Sequence, residues 1–377
     1  MEAEGVPAAS DGIRGRTGSR ALVTAAALVL IAAGLKAAAP ILVRIALAGF
    51  IIVITRPAVA WLQRHRVPSA LAISAVVLFV FGVGVLFISL TAQSLGEIRL
   101  AFPRYAERVQ AIEASLNDWL DSTNLPAPDD LHFDFVNAQR ALDLATGAAR
   151  QAASLTTAVV LVLILTVFGM IESNGLPQKL RRAFGERADF AALRTVTAEM
   201  QHYLAIKTVI SFITGLLVGV WVAIVGLDFP VFWGLVAFLL NFIPNVGSII
   251  AAVPAVALAW LDLGADGALL VAAGYLAINM VLGNMVEPTW MGRRLGLSPL
   301  VIMLALVVWG WLWGAIGVLL AVPITMSARI MLETTHSHRW VAILLAPTSE
   351  LAAAERPARE RAEGKRRFPF LRRGSRS

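Results

Sequence analysis

The chain has 377 residues, 58% hydrophobic and only 15% charged, with a formal net charge of +7 and no cysteine. Its mean hydropathy is +0.74. Soluble domains carry about 25% charged residues, so this composition excludes an ordinary water-soluble globule and makes lipid the natural solvent. Without cysteine, thiol catalysis, disulfides and thiolate metal sites are excluded as well.

Charge is absent from six long runs, 67–96, 151–171, 208–227, 229–261, 267–286 and 295–328. Each reaches the roughly 20 residues that a helix needs to cross the hydrocarbon layer. A seventh apolar region, 21–55, is interrupted by Lys36 and Arg44. None shows the short alternating pattern of a barrel strand, so the expected fold is all-α, a polytopic helical membrane protein. Basic residues beside the spans set orientation, which accounts for the positive charge without a nucleic-acid partner.

Arg14, Arg16 and Arg20 place the N-terminal segment, 1–20, on the cytoplasmic side, and Arg56, Arg64 and Arg66 do the same for 56–66. Region 21–55 is therefore expected to cross twice, turning near Pro40 and followed by a third helix, 68–90. Residues 91–150 carry nine acids against five arginines and form an extracytoplasmic insert. Leu95, Ile98, Phe102, Val109, Ile112, Leu116 and Trp119 repeat at three or four, and prolines at 126 and 128 interrupt that pattern. A pair of amphipathic helices lying on the membrane or on a neighbouring subunit is expected. Helix 152–171 returns inward, 172–207 is basic and cytoplasmic, and helix 206–226 goes out again.

The run 229–261 is too long for one straight crossing and carries Asn241-Phe242-Ile243-Pro244-Asn245-Val246-Gly247-Ser248 at its centre. Proline removes a backbone donor and glycine weakens a helix, so two legs joined by a polar turn are expected. Both ends, at Asp228 and Asp262, then lie outside. Helix 267–285 carries the chain inward to Glu287 and Pro288. The stretch 297–333 is again too long, and Trp309-Gly310-Trp311-Leu312-Trp313-Gly314 marks its centre. The reading is about eight membrane segments, with two broken, re-entrant hairpins of opposite orientation, 229–261 and 297–333, inside a transport core, 151–335. A basic, largely disordered cytoplasmic tail, 336–377, follows. Residues 246–254, ending at Pro254, repeat the wording of 316–323, ending at Pro323, with one residue fewer. Paired interrupted segments of this kind mark a transporter's central site.

Asn241, Asn245 and Ser248 suit a neutral polyhydroxylated solute, although they also suit helix capping. With Pro244, Gly247, Pro254, Asn279 and Asn284 they make up the candidate pathway, and Asn279 and Asn284 can equally glue helices together. Gly310, Gly314, Gly317 and Pro323 are candidate hinges. Glu287 is the acid nearest the core and a candidate for ion coupling, or for a gate ion pair with Arg293 or Arg294. The remaining expectations are no cofactor, no metal at His336 and His338, and no catalytic activity, since phosphate loops and hydrolase or metalloprotease motifs are missing.

The run 241–248, Pro254, the block Asn284 to Pro299 with Glu287-Pro288 and Gly292-Arg293-Arg294, and Gly314 to Pro323 together resemble the autoinducer-2 exporter family, also called PerM-like permeases. The resemblance spans roughly 20–335. It implies a bacterial inner-membrane, multi-pass permease, homo-oligomeric, with both termini cytoplasmic. The implied partners are lipid and either a small exported signalling solute or, in an antiporter reading, a monovalent cation. A scaffold that binds a partner through 91–150 is the non-transport alternative. The chain departs from the family pattern at Glu172-Ser173-Asn174-Gly175 and at Lys207, near the cytoplasmic end, where gating or coupling is placed in doubt.

Overall fold

The structure is a computed structural model that describes residues 11–122, 159–173, 175–176, 178–179, 181–183, 191–244, 246–291, 296–334 and 339–347. Among them every regular element is helical. In chain order these are α1 (Asp11–Ala37), α2 (Ala39–Arg64), α3 (Ser69–Ser122), α4 (Val159–Ser173), α5 (Ala191–Val225), α6 (Pro230–Leu240) and α7 (Gly247–Val281). A π-helical segment (Leu282–Val286) leads into α8 (Glu287–Met291), and α9 (Pro299–Thr334) and α10 (Arg339–Leu345) complete the described chain. Helices prevail because hydrocarbon offers backbone amides no partner, and a helix satisfies them within one segment.

Five described helical stretches are long and apolar enough to cross a membrane: Ala39–Arg64, Ser69–Ile112, Arg194–Val225, Gly247–Met291 and Pro299–Glu333. Three further apolar helices, Leu22–Ala37, Val159–Ser173 and Pro230–Leu240, are shorter than a full crossing. The two expected legs of 21–55 meet without a loop. Ala38 stays in the right-handed region, its N–H donates to Gly34, and the N–H of Leu42 donates to Ala38. The chain passes from α1 to α2 at Ala38, with Pro40 in the first turn of α2. The boundary drawn at 90 also disappears, because α3 runs unbroken through Pro103 for 54 residues, about 80 Å. The second half of the insert, including the Pro126 break, lies outside the described residues.

Two stretches fold back on themselves. Within α9 the dihedrals of Gly314 (φ 66°, ψ −147°) leave the helical region. The indole N–H of Trp309 donates to the hydroxyl of Thr325 at 3.1 Å, 16 residues further on. A straight helix would hold them about 24 Å apart, so α9 is a helical hairpin. Residues 229–261 fold likewise: Trp233 and Ala237 of α6 share one core with Ala251, Ala255 and Ala259 of α7. Gly264 (φ 78°, ψ −168°) breaks α7 again where that hairpin ends.

The two turns are tight in the same way. A Cβ built on Gly247 would lie 1.7 Å from the carbonyl oxygen of Leu240, and one on Gly317 would lie 1.9 Å from that of Trp309. Each glycine lets the outgoing leg start against the last turn of the incoming one. The first turn also meets the legs of the second hairpin. Ile243, at the tip of the first hairpin, packs on the cluster of Ala305, Leu306 and Ala321 within the second. Ordered structure continues past 335, since α10 buries Ala342 and its Leu345 carbonyl accepts the N–H of Ser298.

Gly247→Ala and Gly317→Ala should each lower the thermal midpoint of the detergent-solubilised protein, by about 1–3 kcal/mol of stability. Gly82→Ala, an open site in mid-helix, should leave it unchanged or raise it by up to about 1 kcal/mol. Equal effects at all three positions would refute the tight-turn account.

Candidate functional site

Several of the buried polar groups lie along one face of α5. Tyr203, Lys207, Ser211 and Thr214 recur at helical spacing and are all buried. At one end, the Lys207 ammonium, 2% exposed, donates to Glu287 Oε1 at 2.6 Å. One turn further along, Ser211 Oγ accepts the side-chain N–H of Asn241 at 3.0 Å. The turn of the first hairpin is therefore pinned to α5. The pinning depends on close approach of α5 and α6, where Gly215 and Gly234 pack against each other's backbone. Glu287 is presented by the π segment, in which its N–H reaches back to Leu282. An extra residue in a helical turn re-aims the side chain that follows, and such turns recur at functional sites.

Glu287 takes Lys207, from another helix, as its partner, while Arg293 and Arg294 lie outside the described residues, as does Asn245. Of the other candidates, Asn241 and Gly247 are buried, and Pro244 and Ser248 are half-buried beside them at the hairpin turn. Asn279 is half-buried but donates to the Tyr275 carbonyl of its own helix at 2.8 Å, which is back-bonding within one turn. Asn284 and Pro254 are exposed and away from this face. Gly314 forms the second turn, Gly310 approaches Val318 on the opposite leg, and Gly317 and Pro323 are buried. Pro323 also borders an apolar cleft of about 310 Å³ between α2, α5 and α9, alongside Gly49, Phe50, Met200 and Leu320.

A second polar cluster, not anticipated as a site, lies at the far end of the first hairpin. Arg104 on α3 pairs with Asp228 and reaches Asp262 at 3.8 Å. Arg108, one turn on, donates to Asp262 Oδ1 at 2.6 Å and to the carbonyls of Leu261 and Asp262 at 3.1 and 2.9 Å. Tyr105 donates its hydroxyl proton to Asp228 Oδ2 at 2.6 Å. One guanidinium thus gathers both ends of 229–261, which fixes the hairpin at its open end. The sequence held the clue: two arginines four apart on a helix, and an acid at each end of an uncharged run. Among the described residues, no group of three or more His, Cys, Asp or Glu side chains is placed to hold a metal ion.

Comparison with known proteins adds an independent line. The model of the AI-2E family transporter matches residues 25–337. The chain is 36% identical to the AI-2 transport protein TqsA of Escherichia coli (strain K12) over 329 residues, 87% of this chain and 96% of that protein. It is 34% identical to YhhT of the same organism over 333 residues, 88% of this chain and 95% of that one, a protein provisionally named for transport. A Haemophilus influenzae relative with a similarly provisional transport name is 32% identical over 334 residues, 86% and 96% of the two chains.

Asp262 is more deeply buried than Asp228, with side chains 9% and 35% exposed. Arg108→Ala should therefore destabilise the protein by about 1–3 kcal/mol, the cost of leaving a buried acceptor unpaired. Arg104→Ala should cost less and lose most of its effect in high salt. Thermal midpoints of the two variants at low and high ionic strength measure both. The reverse ranking would mean that Asp262 is not held by Arg108.

Proposed function

This chain belongs to the AI-2E transporter family, and we propose that it exports a small, neutral, polyhydroxylated solute of the autoinducer-2 class. It is a multi-pass bacterial membrane protein that moves a small molecule through the bilayer. The proposal concerns which solute, in which direction and by which parts. The carrying observation is the pairing of Asn241 with Ser211 at the tip of the first hairpin, where the second hairpin packs against it. An amide and a hydroxyl exchange hydrogen bonds with a hydroxylated ligand without fixing charge on it. In this reading Asn241, Pro244, Asn245, Gly247 and Ser248 line the solute path. Gly310, Gly314, Gly317 and Pro323 let the second hairpin shift, and the apolar cleft beside Pro323 gives its inner leg room. Pro254, Asn279 and Asn284 take supporting places in the helix walls.

We place the two hairpins as re-entrant segments of opposite orientation within a set of about eight, the three short apolar helices completing the five long ones. Asp228 and Asp262, gathered by α3, lie on the outer face. The basic stretches 56–66 and 172–207 and the C-terminal tail lie on the cytoplasmic face of the inner membrane. A homo-oligomer is part of the proposal, consistent with wide apolar exposure on α1, α2 and α3. The antiporter alternative gains nothing from the geometry, because the carboxylate it needs is already engaged by Lys207. In the described part of 91–150, Arg104 and Arg108 bind the chain's own hairpin.

Proteoliposomes loaded with autoinducer-2 should release it faster than empty-lipid controls, and Asn241→Ala should slow release by roughly 10-fold, the worth of one well-placed hydrogen bond. Release at the control rate would remove the proposed cargo. Because the chain has no native cysteine, single cysteines at 228 and 262 should both label from the outer face of whole cells; labelling from opposite faces would refute the re-entrant placement.

A further inference from the structure

We infer that Lys207 is a built-in cation: its ammonium occupies on Glu287 the place that a coupling Na⁺ or K⁺ would take in a cation-driven carrier, so solute movement by this chain does not draw on a monovalent-cation gradient. The inference rests on the transport reading above for its functional half. Its structural half, the occupied cation position, stands without any particular cargo.

Glu287 sits where an alkali cation would find oxygen ligands. It follows a π turn, in which amides reach carbonyls five residues back. The next residue, Pro288, brings no N–H to the ladder, so a carbonyl of the preceding turn loses its helical partner. A carboxylate beside under-used backbone carbonyls at a helix interruption is the ligand set that broken helices offer to small hard cations.

In this chain the position is filled from α5. Lys207 is 2% exposed and Glu287 18% exposed, and Nζ stands 2.6 Å from the carboxylate. Tyr203 and Leu204 on α5, Met291 on α8 and Val322 on α9 form one hydrophobic cluster beside the pair. An ammonium in such surroundings is held only because the carboxylate neutralises it, and the carboxylate is held for the same reason. Ammonium and alkali cation are therefore mutually exclusive on Glu287. The tethered one cannot diffuse away, so it needs no gradient to load it and returns none on release. Its neighbour one turn away, Ser211, holds the tip of the first hairpin. The neutralised pair is thus a standing condition of the assembled pathway and not a step in each cycle.

The test has two arms. In the first, the thermal midpoint of the purified full-length protein is compared in equal concentrations of NaCl, KCl and choline chloride. The wild type should melt identically in all three. Lys207→Met, which keeps the side chain's length and removes its charge, should gain a cation-specific rise of roughly 2–4 °C in NaCl or KCl over choline. The double variant Lys207→Met, Glu287→Gln should lose that rise. A cation-indifferent Lys207→Met, or a wild type already stabilised by Na⁺ through Glu287, overturns the inference. The second arm uses the wild type alone, and so survives a variant that fails to assemble. Its autoinducer-2 release should be equal with and without imposed Na⁺ or K⁺ gradients, and release that requires either gradient overturns the inference. Absence of release in every salt would instead sink the cargo reading and leave the melting arm to decide the cation position.

Discussion

Everything in this fold answers to the lack of water around a backbone in lipid. An amide or carbonyl exposed there costs several kcal/mol, so the chain can leave the helix only where other protein atoms crowd in. Both fold-backs obey this constraint. At Gly247 and Gly317 the legs approach so closely that a methyl group would collide with a main-chain oxygen. Each turn is also packed on something solid: α5 through Ser211, and the opposite hairpin through Ile243. The polar site is thus a by-product of the same economy. Where the first turn must be sheltered by α5, the Asn241 amide and the Ser211 hydroxyl end up facing one another in the interior.

Charge is distributed to match. The described ion pairs that bind one helix to another lie at two levels. Arg104 and Arg108 with Asp228 and Asp262 clamp the open end of the first hairpin, while Lys207 with Glu287 closes the other end of the α5 face. Between them the core is neutral. The outer pairs are partly hydrated and worth little singly, but they combine through shared partners and backbone carbonyls. The inner pair belongs to a different regime, in which each charge is tolerable only because of the other.

What could be read from the sequence followed the strength of the local signal. Uncharged runs mark the long apolar helices, and excess length coincides with Asn241, Pro244, Gly247 and Gly314 where the chain folds back. One boundary is ambiguous in the local signal. The acidic insert conceals that its first half is simply more of α3. Tertiary partners were the hardest to foresee. Lys207 meets Glu287 across 80 residues of sequence. Nothing periodic links those two positions. Only the isolation of each as the charge at the edge of an apolar run hinted that they belong together.

The length of α3 has a mechanical consequence. Its contact with the first hairpin comes at Arg104, about 53 Å along the helix from Ser69, and about 27 Å of helix remain beyond it to Ser122. A rod gripped near the two ends of a hairpin follows any rocking of those ends. A tilt of about 10° at the grip sweeps Ser122 through roughly 5 Å. Movements of the hairpin too small to matter elsewhere are thereby magnified at the far tip. The helix is in effect a pointer, reporting the posture of the first hairpin at a distance from it.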